Sequence, residues 1–518
     1  MSVPPCCARR RRLAQTRASR LAIGVLIPLF VAACSKTDHA AGAEPDGGDA
    51  GSGGLRPDGP VADVAEELMG GNGPFLGAAS GLGAPMKYSF MVPAGYAAHE
   101  YVAAGTATDY VASGTLTPDG MWTLAPNTTA MYRTRVIVLA PADATAASGT
   151  AVVEWLNVSG GLDADPEYAS VEEELLRQHH TWVGVSAQLI GVEGGPVLVT
   201  APGGEALAGK GLKKIDPARY GTLSHPGDGY SFDIFTQVAR ALRNGSLLRG
   251  PTSRFVIAAG ESQSAIALTT YYDGVQPLAR VFDGFFVHSR GAMTLPFVAP
   301  GASADLVGAI SNPLHPVFRG DLNAPVMDIQ TEGDVTGVLD SGAVRQDDGD
   351  HFHLWEVAGT AHADVHLVGA LASSVDCGLP INNGPMHLVA KSALRALDTW
   401  LRMGTVPVLA PRLEMNDAGS AIARNADGIA LGGIRTPPVD VPVDVLSGAP
   451  GPSTDLLCLL LGSTTPLPDA RLAQLYQNRA AYQQKYAAAT DQTIKAGYVL
   501  DIDRDALLGF SQPDRIQP

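Results

Sequence analysis

The stretch Phe255-Val-Ile-Ala-Ala-Gly260-Glu-Ser262-Gln-Ser264-Ala-Ile-Ala-Leu268 decides how the rest of this 518-residue chain is read. A β-branched apolar run meets Gly-x-Ser-x-Ser and passes at once into a helical pattern. That sequence of events reads as a buried parallel strand, a tight strained turn carrying a serine, and a helix. Strand and helix approach so closely at such a turn that the positions two before and two after the serine must be small. Gly260 and Ser264 meet that demand. The Ser262 hydroxyl would then stand at the carboxyl end of the sheet, where open α/β folds bind ligands. A loose Gly-x-Ser-x-small match arises by chance roughly once in a chain of this length. The neighbouring sequence therefore has to carry the decision.

Upstream and downstream, apolar runs at residues 135–140, 151–156, 181–186, 254–259, 281–287, 326–330 and 352–357 read as strands. Helical patterns lie at 172–180, 231–243, 263–272 and 386–401, the last with Leu388, Leu394, Leu397 and Leu401 on one face. This alternation predicts an α/β fold with a mostly parallel central sheet and helices on both faces. Residues 85–130 read as antiparallel strands leading into that sheet.

A serine hydroxyl becomes a useful nucleophile only when a base takes its proton, and a carboxylate must then orient and stabilise that base. The chain supplies the order Ser, acid, His, each after a later strand. Thr331-Glu332-Gly333-Asp334 follows the run 326–330; Asp334 is the first choice of acid, with Glu332 the competitor. Ala358-Gly359-Thr360-Ala361-His362 follows the run 352–357 and makes His362 the expected base, ahead of His351 and His366. The developing oxyanion needs aimed N–H donors. One is expected from the backbone of Gln263, and a second from Val158 or Ser159 in the loop Asn157-Val-Ser-Gly-Gly161. No zinc-type His or Cys spacing and no phosphate-binding glycine motif is evident, so neither a metal nor a cofactor is expected.

The front of the chain points to export. Arg9, Arg10, Arg11, Arg12, Arg17 and Arg20 precede a short apolar run over residues 21–33, as in a secretory signal. Val31-Ala-Ala-Cys34 resembles a bacterial lipobox, which would make Cys34 the lipid attachment site and tie the protein to the cell envelope, on the outer membrane, the alternative being a plain signal peptide cut nearby. Residues 34–60 are a Gly-, Ala- and Asp-rich tether. Loss of residues 1–33 removes six arginines and no acids, taking the net charge from −16 to −22. So acidic a chain repels nucleic acid. Cys377 and Cys458 are the two cysteines left for the folded part, and in an exported chain they read as one disulfide, the alternative being two buried thiols.

The hydrolase domain is expected over residues 61–403. Residues 289–323, rich in Gly, Pro and Ala, fall where a lid would sit, and residues 404–518 read as an appendage packed on the core, with a late helix over 469–489.

Several longer motifs occur together: Val153-Glu-Trp-Leu-Asn-Val-Ser-Gly-Gly161, Gly260-Glu-Ser-Gln-Ser-Ala265, Phe282-Asp-Gly-Phe285 with His288-Ser-Arg290, Leu354-Trp-Glu-Val-Ala-Gly-Thr-Ala-His-Ala-Asp364, and Gly432-Gly-Ile-Arg-Thr-Pro437. In this order they resemble the bacterial alpha/beta hydrolase domain-containing proteins, over roughly residues 85–515. The resemblance implies the α/β-hydrolase fold and a triad of Ser262, Asp334 or Glu332, and His362. It leaves the substrate open. Ser264 replaces the second glycine of the commonest elbow pattern. The expected activity is hydrolysis of small-molecule carboxylic esters through an acyl-enzyme. A peptidase or acyltransferase on the same triad is the alternative within enzymes, and a non-catalytic surface-binding lipoprotein the alternative outside them. Nothing in the sequence bears on oligomeric state.

Overall fold

The computed structural model describes residues 58–72, 75–77, 85–87, 92–200, 206–312 and 314–517. The leader, Cys34 and almost all of the tether lie outside the described residues. Eight strands form one sheet: β1 (Tyr96–Ala112), β2 (Leu124–Pro141), β3 (Thr150–Trp155), β4 (Thr181–Val185), β5 (Phe255–Glu261), β6 (Gly284–His288), β7 (Val326–Thr331) and β8 (Phe352–Val357). Their spatial order is β8-β7-β6-β5-β3-β4-β2-β1. β1 and β2 are antiparallel, β2 is antiparallel to β4, and every other pairing is parallel. The expected α/β fold is thus present, with β1 and β2 as its antiparallel margin.

The parallel strands are buried along nearly their whole length, which is why they read as unbroken apolar runs rather than as alternation. Successive side chains on β5 feed opposite cores. Val256 and Ala258 pack with α2 (Ser231–Arg243) and α3 (Gln263–Thr270), whereas Ile257 and Ala259 face α1 (Pro166–Arg177) and α4 (Met386–Met403). One hydrophobic core lies on each face of the sheet.

Besides β2, which extends back to Leu124 from the expected 135–140, the element bounds differ from the sequence reading in three places with a local cause. α1 begins at Pro166, not near Glu172, because proline at the first helical position needs no N–H partner there. β6 starts at Gly284 rather than Val281, since the Asp283 carboxylate takes the Val256 N–H at 2.6 Å and binds Arg243. The late helix is two, Asp469–Leu475 and α5 (Arg479–Lys495), with Asn478 capping the second through the Ala481 N–H.

Residues beyond α4 join the sheet margin directly. Ile434 donates to Glu356 O at 2.7 Å and accepts from Ala358 N at 3.0 Å. A two-stranded antiparallel sheet, β9 (Asp444–Ser447) with β10 (Ser463–Pro466), flanks a short helix, Leu456–Leu461. Cys458 on that helix is joined to Cys377 as a disulfide. No helix among the described residues is long and apolar enough to cross a membrane.

Candidate functional site

Ser262 sits between β5 and α3 with φ 65° and ψ −123°. A non-glycine residue held in that region stores on the order of 1–3 kcal/mol of backbone strain, tolerated only where the surroundings enforce it. Part of the enforcement is the Ser262 N–H, which donates to His288 O at the end of β6 (2.9 Å). The demand for small neighbours is met with little to spare. A Cβ on Gly260 would lie 2.8 Å from the Ser264 Cβ. Ser264 itself is fully buried.

His362 follows β8, in the segment that the sequence singles out. Its Nε2 is 2.8 Å from Ser262 Oγ and its Nδ1 is 2.7 Å from Asp334 Oδ1. Asp334 follows β7 in the short helix Glu332–Val335, where Thr331 and Asp334 cap each other reciprocally. Its second oxygen, Oδ2, accepts from Ser289 Oγ (2.6 Å), Thr331 N (2.7 Å) and Thr331 Oγ1 (2.7 Å). Burial alone would raise the Asp334 pKa, but His362 and these donors outweigh it and hold the carboxyl below its ordinary range.

Glu332 points to other work. Its carboxylate accepts from Gly359 N (2.8 Å), Gly448 N (3.0 Å) and the Arg424 guanidinium. It therefore fastens the acid loop to the β8 loop and to the residues after α4. His366 bonds Ala169 O and stacks on His387, away from Ser262.

The two backbone N–H groups expected as second donors are both engaged. Val158 donates to Gln263 Oε1 at 3.2 Å and Ser159 to Asn157 Oδ1 at 2.8 Å. The Gln263 side chain is gripped in turn by Gln188, whose Oε1 accepts from Gln263 Nε2 (2.6 Å) and Trp155 Nε1 (2.9 Å). The Gln263 N–H occupies the first turn of α3, where helix geometry provides no intrahelical acceptor. The loop after β3 is itself braced: Asn157 and Ala164 exchange both backbone bonds, and buried Asp163 pairs with Arg135 of β2 at 2.7 Å.

Ser262 and His362 open onto a cavity of about 190 Å³ with mostly apolar walls. Leu306, Ala309 and Ile310, from the segment with the expected lid position, line one side, and Leu456, Leu457 and Leu460 another.

The sequence profile of the alpha/beta hydrolase domain family matches residues 58–509. The chain belongs to that family. No curated protein matches it. Among solved structures, this alpha/beta hydrolase is similar to fungal esterases from Rhizomucor miehei, at 9% identity and a TM-score of 0.29 over 57% of this chain and 84% of that one. It is similar also to a serine hydrolase without a lid from Xanthomonas campestris (11% identity, TM-score 0.24, 48% and 83% covered). A third is a rice cell wall degrading esterase, LipA from Xanthomonas oryzae (16%, 0.21, 37% and 43%).

Sequence reasoning did not find Ser289, Thr331 or Gln188, the residues that hold Asp334 and Gln263. It also missed a buried cluster behind the hydrolase's serine. His288 Nδ1 lies 3.2 Å from Glu167 Oε2 and 3.4 Å from Glu261 Oε2. With His288 neutral, the three residues have the spacing to hold a cation. Burial would lower the His288 pKa, but Glu261 and Glu167 outweigh it and lift the imidazole to about 9, while burial pushes Glu261 up to about 7.

Proposed function

We propose that this alpha/beta hydrolase cleaves carboxylic esters with Ser262 as nucleophile, His362 as general base and acid, and Asp334 as the carboxylate that orients His362. The observation that carries this reading is the unbroken chain Asp334–His362–Ser262, with links of 2.7 and 2.8 Å, ending at a cavity.

His362 Nε2 takes the hydroxyl proton as Ser262 Oγ attacks the ester carbonyl. The carbonyl oxygen becomes an oxyanion facing the Gln263 N–H, with Val158 or Ser159 as second donor once it shares its present bond. Collapse breaks the carbonyl–alkoxide bond, and His362 returns its proton to the departing alcohol. Water, deprotonated by the same nitrogen, attacks the acyl-Ser262, releases the carboxylic acid and restores the hydroxyl. Asp334, kept ionised by His362 and its three other donors, steadies the imidazolium in both halves and fixes Nδ1 as the protonated nitrogen.

The test is hydrolysis of short p-nitrophenyl esters by the parent beside a folded Ser262→Ala variant. Activity in the first and its loss in the second is the expected result, and activity surviving the substitution would move the chemistry elsewhere.

We further propose that the enzyme is exported and anchored through Cys34. The Cys377–Cys458 disulfide supports this, because such bonds persist in oxidising compartments. Metabolic labelling with palmitate, lost in Cys34→Ala, is the expected result; labelling independent of Cys34 would overturn the anchor.

A further inference from the structure

The cavity beside Ser262 names a substrate class when its walls are taken one by one. Leu456, Leu457 and Leu460 come from the short helix Leu456–Leu461, far beyond α4. That helix is fixed at four points. The Asp455 carboxylate caps it through the Leu457 N–H at 2.9 Å. Leu460 O accepts from the N–H of Ala363, the residue after His362, at 3.1 Å, and Leu461 O accepts from Asn382 N at 2.9 Å. The disulfide from Cys458 to Cys377 is the fourth. The leucine wall is therefore held in register with the base itself.

Other walls repeat the chemistry. Leu198 and Val199 are held by both of their N–H groups on Ser159 O, at 2.9 and 3.1 Å, beside the β3 loop. Met293, Leu295 and Leu306 come from the segment between β6 and β7. No lysine or arginine lines the cavity among the described residues, and Glu261 is the one carboxyl on its wall. An anionic chain would find no cation there, and a heavily hydroxylated one would leave most of its hydroxyls against the leucine, valine and methionine walls, away from the few polar side chains, Asn157, Ser159 and Thr200 among them. The volume, about 190 Å³, exceeds the ~150 Å³ of an apolar cavity that takes up benzene, so a chain of more than about six non-hydrogen atoms fits.

We propose that the site accepts uncharged esters carrying an extended apolar chain, and that the leucines of the disulfide-pinned helix Leu456–Leu461 grip that chain and set its length preference. This rests on Ser262 being the nucleophile. A methylene moved from water into such walls favours binding by about fourfold at full burial. Going from an acetyl to an octanoyl ester adds six methylenes, and with partial burial the expected gain in kcat/KM is roughly a hundredfold.

The experiment measures kcat/KM of the full chain on p-nitrophenyl acetate, octanoate and hemisuccinate. It is repeated for Leu460→Trp, for Leu456→Gln in case the tryptophan prevents folding, and for Cys377→Ser/Cys458→Ser. The proposal expects the octanoate-to-acetate ratio to be near a hundred in the parent and to fall at least tenfold in each folded variant. The hemisuccinate should be turned over more slowly than the acetate. A parent that cleaves acetate with a ratio of one or less, or that prefers the hemisuccinate, overturns the apolar-chain assignment while leaving Ser262 in place. A high parent ratio unmoved by the variants overturns the role of the helix. No turnover of any ester, with no labelling of Ser262 by a fluorophosphonate, overturns the nucleophile and this inference with it.

Discussion

Two histidine–carboxylate groups flank Ser262, and they are built from the same residue types to different ends. In front, His362 bonds Asp334 with Nδ1 and Ser262 Oγ with Nε2. Behind, His288 faces Glu167 and Glu261 with Nδ1, while its Nε2 finds no partner among the described residues. The carboxylates differ as sharply. Asp334 is held ionised despite full burial by His362 on Oδ1 together with three neutral donors on Oδ2. Glu261 receives one long bond from Ser170 Oγ, at 3.4 Å, and burial carries it up to about 7. Nearness to a serine does not make a histidine a base. What matters is where the second ring nitrogen points, and whether the paired carboxylate has enough donors to remain charged.

Removing each imidazole in turn separates the two groups. His362→Ala should lower kcat by roughly 10⁵–10⁶, as expected when one member of a cooperating triad is lost. His288→Gln should leave kcat of the folded fraction within about tenfold, and instead destabilise the fold by about 3–5 kcal/mol, because two buried carboxyls lose their cation. Stopped kinetics and denaturant unfolding on the same samples separate the two outcomes.

The next contrast lies within the acid loop. Asp334→Asn should lower kcat by roughly 10⁴ through the wrong imidazole tautomer. Glu332→Gln should act on stability, lowering it by about 2–4 kcal/mol as the Arg424 contact and the ties to Gly359 and Gly448 weaken. If instead Glu332→Gln stopped turnover with stability intact, the two acids would have to exchange roles.

The smallest effect is in pH. Glu261 and His288 both hold protons in the folded chain that the unfolded chain has released, the first up to about 7 and the second up to about 9. Wherever the folded state binds more protons, stability falls as pH rises. Their contribution is complete at acid pH, declines from pH 4.5 upward as the unfolded carboxyl ionises, and is gone above pH 9. Tm should therefore drop by several degrees between pH 6.5 and 9, and the slope should flatten in His288→Gln. A Tm rising over that interval would contradict the protonated cluster.

Much of this was readable in advance because it is local. A strand, a strained serine and a helix fall in consecutive residues, so 255–268 declared the elbow, and the order Ser262, Asp334, His362 followed from strands that are apolar on both faces. The sequence ranks Asp334 ahead of Glu332 only by its distance past the strand, not by anything that holds it. Both carboxylates leave the same strand, and the donors that separate them, Ser289 for one and Arg424 and Gly448 for the other, lie 45, 92 and 116 residues away. The Glu167–Glu261–His288 cluster was invisible for the same reason, since it joins α1, β5 and β6 without any motif spacing. The start of α1 is a different case: Pro166 at the first helical position is a local signal within the sequence itself.

The most direct test of the central claim is to trap the covalent intermediate. The full chain is mixed with a fluorophosphonate or a slow p-nitrophenyl ester, quenched, and mapped by peptide mass. One adduct per chain is expected on the peptide bearing Ser262, formed with loss of fluoride from the fluorophosphonate or in step with a burst of p-nitrophenol from the ester, and absent in His362→Ala. An adduct on any other residue, or steady turnover with no adduct and no burst, would contradict it.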